Sequence, residues 1–97
     1  MLKMLVLATA LVVMTGPAFG QARLNCSSSE RFGTNLIRVG DSERRVFQAA
    51  GQPDLERQLT TPQGGSAGIR LDYYRNRETI QIYIESGVVV RICRIRD

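Results

Sequence analysis

The stretch "GIRLDYYRNRETIQIYIESGVVVRICRIRD", residues 68–97, holds three alternating apolar runs: Ile69, Leu71 and Tyr73; Ile80, Ile82 and Ile84; Val88, Val90 and Ile92. Alternation with a period of two marks strands that bury one face. A two-residue turn at Asn76 and Arg77 sets Tyr73 against Ile80, Leu71 against Ile82 and Ile69 against Ile84, so every inward pair is apolar. In the second hairpin, a two-residue turn at Ser86 and Gly87 pairs Ile82 with Arg91 and Ile84 with Val89, which mixes the faces. A three-residue loop, Glu85-Ser86-Gly87 with Gly87 in the left-handed bulge position, instead pairs Ile84 with Val88, Ile82 with Val90 and Ile80 with Ile92. Because a one-residue slip turns every side chain over, the second register is expected. The result is a three-stranded antiparallel meander. Its outward face carries Arg70, Asp72, Tyr74, Gln81, Tyr83, Val89, Arg91 and Cys93.

One face of that sheet needs a cover, and "RVGDSERRVFQAAGQPD" (Arg38 to Asp54) supplies it. Gly40 lets the chain turn, Asp41 offers its carboxylate as an N-cap, and Glu43 puts negative charge at the positive end of the helix dipole. Val46, Phe47 and Ala50 fall on one helical face, Gly51 ends the helix in a left-handed cap, and Pro53 blocks resumption. The helix is expected over Ser42 to Ala50, too short to stand without packing. "DLERQL" (Asp54 to Leu59) reads as one further helical turn capped by Asp54, and "TTPQGGSAG" (Thr60 to Gly68) as a flexible connection. Upstream, residues 21–35 form a polar, turn-rich coil carrying Cys26, with short extended pieces at Arg23 to Ser27 and Leu36 to Val39. The fold class is α+β: a short helix on a three-stranded meander, with the N-terminal segment stapled to the last strand.

The first 20 residues have the layout of a secretory signal peptide: Lys3, the apolar run "MLVLATALVVM", then "GP" and small residues. Cleavage after Gly20 or after Ala22 satisfies the small-residue rule, with Gly20 favoured. The apolar run falls well short of the roughly 20 residues of a membrane span, so no integral membrane segment is expected after processing. Arg23, Leu24 and Asn25 are unlike the small apolar residues that precede an acylated cysteine, so Cys26 is not expected to carry lipid. The expected organisation is a leader over residues 1–20, a coil segment over 21–35 and a small domain over 36–97, in a periplasmic or secreted protein.

About 77 of the 97 residues remain after cleavage. A core that thin barely offsets chain entropy and usually needs a staple. Cys26 and Cys93 are the two cysteines, and in an oxidising compartment they are expected to form one disulfide. Closing so long a loop stabilises by about 4 kcal/mol on chain-entropy grounds. A redox pair would more typically be spaced Cys-x-x-Cys, so the staple is the expectation and a redox partner acting through Cys26 and Cys93 is the minor alternative.

Net charge is +4, and apart from Lys3 every basic residue is arginine, with no histidine. Export points such a chain toward lipid head groups, anionic glycans or acidic protein surfaces rather than nucleic acid. The arginine content also fits the amino-acid bias of a GC-rich genome. Without histidine there is no histidine base or triad, and once Lys3 is gone there is no Ser-Lys dyad, Schiff base or phosphate-loop lysine. Two paired cysteines leave no zinc set, so neither metal nor cofactor is expected. A carboxylate pair is compatible with the nine acidic residues, but so small a domain offers little cleft, and no enzyme activity is expected.

The residues Val39, Gly40, Asp41, Ser42, Val46, Gly51 and Pro53, followed by a variable loop, the strand "LDYY" and "I-x-I-x-x-x-G-x-V-V-x-I", resemble small exported bacterial proteins of unknown function with a VGDS…GxP signature. More distantly they are similar to the BamE/SmpA/OmlA fold of outer-membrane assembly lipoproteins and to the repeat unit of beta-lactamase inhibitory proteins. The likeness spans about Leu36 to Ile92. It implies a non-enzymatic scaffold or binding module near the envelope. This chain departs from the lipoproteins in lacking a cysteine at the cleavage site and a helix before the Val-Gly segment.

Two surfaces are then candidates. Arg70, Tyr74, Tyr83 and Arg91, continued by Arg94 and Arg96, form an arginine-and-tyrosine face suited to an acidic protein or an anionic envelope component, since both residue types are enriched in binding hot spots. The alternative is an inhibitor or accessory protein that inserts the glycine-rich loop, residues 60–68, into an enzyme. The bland reading of the first is a solvated sheet face with Arg–Asp and Arg–Glu pairs, and that of the second is a mobile loop.

Overall fold

A computed structural model describes residues 23–96. The expected leader and its two cleavage points lie outside the described residues. The described chain forms seven strands and one helix in the order β1 (Arg23–Ser27), β2 (Ser29–Phe32), β3 (Asn35–Arg38), α1 (Glu43–Ala50), β4 (Leu55–Thr60), β5 (Ser66–Arg75), β6 (Glu78–Glu85) and β7 (Val88–Arg96). Five strands make one antiparallel sheet in the order β1-β7-β6-β5-β4, while β2 and β3 form a separate hairpin. The expected three-stranded meander is therefore the centre of a wider sheet. A strand is added on each side of it.

The first central hairpin has the expected register, with Tyr73 opposite Ile80, Leu71 opposite Ile82 and Ile69 opposite Ile84. The second departs from it. Ser86 and Gly87 both take positive φ, 53° and 76°, which closes a two-residue turn of the kind that matches strand twist, and Glu85 pairs with Val88. That turn brings Ile84 opposite Val89, the pairing that mixes faces when carried along the whole strand. A β-bulge at Val90 removes the conflict: beyond it Tyr83 pairs with Arg91, Ile82 with Ile92 and Gln81 with Cys93. Val89 and Ile92 are both buried, whereas Val88 and Val90, expected in the core, are 39% and 42% exposed.

Ile37 from β3 and Val46 from α1 are buried against Leu71, Tyr73, Ile80, Ile82, Ile84, Val89 and Ile92, with Phe32, Phe47, Ala49, Ala50 and Ile69 packed around them. The helix and the β2–β3 hairpin thus cover the same sheet face together. Tyr73 sits where they meet: its ring packs edge-on against Phe32 at 5.2 Å, and its hydroxyl donates to the Gly51 carbonyl at 2.8 Å.

The "GDS" triplet is stitched to the sheet. Gly40 N–H donates to Val89 O, Val89 N–H to Asp41 O, and Glu43 N–H to Gly87 O, all within 2.8–2.9 Å. Ser42, rather than Asp41, caps α1: its hydroxyl accepts from Arg45 N–H, and the Asp41 carboxylate accepts from Arg38 N–H at 2.8 Å. Asp41 is occupied by the preceding turn, which leaves the cap to its neighbour. Gly51 does end the helix at positive φ, 80°, but its ψ of −161° is extended rather than left-handed helical.

The expected extra helical turn at Asp54–Leu59 is instead strand β4. Asp54 caps no helix; its carboxylate accepts from Tyr74 N–H at 2.7 Å and its N–H donates to Asp72 O at 2.8 Å, which draws the following residues alongside β5. Thr60 pairs with Ser66 across a register shift on the β5 side. Gly68 lies in that shift at φ 98°, and a Cβ there would collide with the Ile84 carbonyl oxygen.

Burial pushes the Tyr73 phenol from a pKa of 10.0 up to about 12, with the charges of Asp54 and Glu56 adding to the shift. The folded protein keeps a proton that the unfolded chain gives up first, so this contribution is fully present below about pH 10 and is lost as pH rises through about 12. Tyr73→Phe is expected to cost about 1 kcal/mol at pH 7 through the lost hydrogen bond. In thermal melts between pH 8 and pH 11 its decline should be shallower than that of the unsubstituted protein, and an unchanged slope would count against the assignment.

Candidate functional site

On the sheet face turned away from α1, alternation and register lay the side chains out in rows across the strands. Arg57, Arg70, Tyr83 and Arg91 form one row through β4, β5, β6 and β7. Leu55, Asp72, Gln81, Cys93 and Cys26 form the next. Tyr74, Thr79, Ile95 and Leu24 form the third. No described helix or strand packs over this face, yet Asp72, Gln81 and Cys93 in the middle row are only 4%, 7% and 1% exposed. The long side chains of the flanking row cover them.

Arg70 explains part of that burial. Its guanidinium makes a two-pronged hydrogen bond to the Asp72 carboxylate at 2.8 and 3.0 Å, which raises the arginine pKa further and spends its charge locally. Arg91 is exposed and lies over the Tyr83 ring at 4.8 Å, and the Tyr83 hydroxyl faces Gln81 Oε1 at 3.4 Å. Arg57 is exposed and has no carboxylate partner among the described residues. Tyr74 is 57% exposed and Leu55 37%. The face is thus an apolar and aromatic patch crossed by a basic row.

Of the six residues singled out in the sequence, Arg70, Tyr74, Tyr83 and Arg91 share this face, and Arg94 and Arg96 do not. Strand β7 runs to Arg96, so alternation continues through its last residues and turns Arg94 and Arg96 to the helix side, opposite Ile80 and Glu78. There Glu30 of β2, 7% exposed, accepts from Arg94 at 2.6 Å and from Arg75 at 3.4 Å. The Glu30 hydrogen bond also raises the Arg94 pKa. Glu78 Oε1 stands 3.0 Å from Arg94 Nε without forming a hydrogen bond, so this contact is a charge contact only. Arg75 completes the cluster by stacking over Phe32 at 4.6 Å. These arginines hold the β2–β3 hairpin onto the sheet.

The glycine-rich segment shrinks to the tip of the β4–β5 hairpin. Thr61 and Gly65 close it: Thr61 N–H donates to Gly65 O at 2.8 Å and Gly65 N–H to Thr61 Oγ1 at 3.0 Å, while Gly64 N–H donates to Thr61 O at 2.8 Å. Ser66, Ala67 and Gly68 belong to β5. Pro62, Gln63 and Gly64 are exposed at the tip.

Cys26 and Cys93 are joined as expected, as directly opposed residues of β1 and β7 on the outward face. Open grooves lie elsewhere, one of about 510 Å³ beside Glu43, Arg44, Phe47 and Gln48, another of about 470 Å³ beside Leu24, Asn25, Arg94 and Arg96. Among the described residues no cluster of three or more metal-ligating side chains occurs, and no helix is long and apolar enough to cross a membrane. No family model, curated protein or solved structure matches this chain.

Arg57, Leu55 and Glu30 were not singled out in the sequence. The first two lie in the segment read as a helical turn, where the signal that could have placed them is a turn-rich "TPQGG" between two pairable segments. For Glu30, no local pattern distinguishes a buried carboxylate from a solvated one.

Glu30→Gln is expected to lower stability by about 1–2 kcal/mol, since it removes charge from a buried hydrogen bond whose arginine partners are partly solvated. Arg96→Ala should change stability by less than about 0.5 kcal/mol, because Arg96 is 59% exposed and 3.9 Å from Glu78. Urea denaturation of the two variants checks this order, and equal effects would contradict it.

Proposed function

We propose that this chain is an exported, non-enzymatic interaction module of the bacterial envelope that docks an acidic protein segment on the outward face of its five-stranded sheet. The observation that carries the reading is the combination of an uncovered face with two arginines, Arg57 and Arg91, that have no carboxylate partner among the described residues and share that face with exposed Tyr74 and Leu55. A patch of arginine, tyrosine and leucine offers apolar contact and long-range attraction at once, whereas a purely solvated face would spend its arginines on neighbouring carboxylates as Arg70 does on Asp72. An acidic protein is favoured over a lipid or glycan surface because the aromatic and apolar share of the patch needs a partner that can fill it.

Export to a periplasmic or secreted location is supported by the leader-like residues 1–20 and is compatible with the disulfide. Cys26, being joined to Cys93, is not free to carry a lipid. The resemblance to small exported proteins with a VGDS…GxP signature, and distantly to the BamE/SmpA/OmlA fold, supports the same reading.

A second reading rests on the β4–β5 tip. Its closure by Thr61 leaves Pro62, Gln63 and Gly64 exposed on a loop with little ordering left to lose, a property suited to insertion into an enzyme. Photo-crosslinking from position 74 in the native envelope separates the two. Docking on the sheet predicts an acidic protein as the crosslinked product, lost in an Arg57→Glu, Arg91→Glu double variant and retained when Pro62 to Gly64 are deleted. Loss on loop deletion with retention in the arginine variant would favour the inhibitor reading instead.

A further inference from the structure

The disulfide does not sit in a sealed environment. Cys93 is 1% exposed, but Cys26, directly opposite it on the edge strand β1, is exposed, so the two residues of the bond differ in their access to solvent. Arg91, two residues before Cys93 on the same face of β7, turns Nε–H to Cys93 Sγ at 3.4 Å. A positive donor held, among the described residues, against one sulfur and not the other makes the pair chemically asymmetric. It favours the state in which that sulfur carries negative charge.

We infer that Cys26–Cys93 is a site of thiol–disulfide exchange whose substrate is a dithiol, with Cys26 Sγ as the point of attack and Cys93 as the leaving thiolate stabilised by Arg91. One thiolate of the dithiol attacks Cys26 Sγ along the axis of the bond, forming a mixed disulfide. The Cys26–Cys93 bond breaks and its electron pair leaves on Cys93 Sγ beside the Arg91 guanidinium. The second thiol of the reductant loses its proton and attacks its own partner sulfur in the mixed disulfide, which releases the Cys26 thiolate. The dithiol is oxidised by two electrons to a cyclic disulfide, and its two protons end on the protein thiols or in solvent.

The direction of attack follows from access, and the choice of leaving group from the arginine, so two independent features select the same outcome. Attack at Cys93 would need a reductant to enter beneath Arg91 and would expel a thiolate on Cys26, for which no cationic donor lies within hydrogen-bond distance among the described residues. What exchange releases is also defined. Strand β1, whose residues Leu24 to Ser27 are all exposed, loses its covalent tie to β7 and keeps only its backbone pairing. This inference shares Arg91 with the proposed docking but does not rest on it, since it concerns the chemistry of one bond rather than the occupant of the face.

The test uses the oxidised, processed protein. Brief treatment with limiting glutathione, an acid quench and peptide mass spectrometry is expected to place the adduct on Cys26. Reduction by dithiothreitol should slow by about threefold in Arg91→Gln, the response to a tenfold loss of leaving-thiolate stability at a Brønsted slope near 0.5, and recover in Arg91→Lys. In the reduced protein, alkylation of Cys93 should set in at lower pH than in Arg91→Gln. Because an arginine could also attract the incoming thiolate, the alkylation profile isolates its effect on Cys93 itself. An adduct on Cys93, a rate unaffected by Arg91→Gln, or superimposable alkylation profiles would each overturn the inference.

Discussion

The β-bulge at Val90 governs the arrangement of β7, and β7 governs the rest. A tight turn at Ser86 and Gly87 brings Val89 under the helix side of the sheet, and an uninterrupted strand from that point would send Ile92 outward and Cys93 inward. One unpaired residue restores the phase, so that Val89 and Ile92 are both buried while Arg91 and Cys93 face out. The edge of that strand turned away from β6 depends on the result along its length. Cys93 meets Cys26 across the β1 pairing, and the segment Gly40–Glu43 bonds to Gly87 and Val89 just before the bulge.

The two sheet faces divide their arginines by function in consequence. On the helix side, Arg75 and Arg94 converge on Glu30, a carboxylate shielded from water that would be costly to bury alone. Their charge is consumed in attaching the β2–β3 hairpin. On the outward side Arg70 is consumed by Asp72, and Arg57 and Arg91 are left with net positive charge beside tyrosine and leucine. A basic composition thus resolves into arginines that hold the fold and arginines available to a partner.

Much of this was legible from residues 68–85, where branched residues alternate cleanly and a single register keeps all inward pairs apolar. The helix was legible for the same reason, with Val46, Phe47 and Ala50 on one face and a glycine after them. Three features were not. The bulge escaped because a longer loop and a bulge solve the same phase conflict, and the run Val88-Val89-Val90 is apolar in either phase. Strand β4 escaped because "DLERQL" is too polar to show alternation; its pairing partner, not its composition, makes it a strand. The placement of Arg94 and Arg96 follows from how far β7 continues, and nothing local says that a strand persists through charged residues when a buried Glu30 waits on the other side. Arg70, Tyr74, Tyr83 and Arg91 therefore share one face as the alternation of residues 68–97 implies, while Arg94 and Arg96, expected to continue it, turn to the other.

Cross-strand proton contacts measure the register of β7 directly. In a nuclear Overhauser spectrum of the oxidised protein, backbone contacts are expected between Ile82 and Ile92 and between Gln81 and Cys93, with Val90 lacking a partner on β6. Contacts joining Ile80 to Ile92 and Ile82 to Val90 would contradict it, returning Val88 and Val90 to the core and moving the basic row out of line.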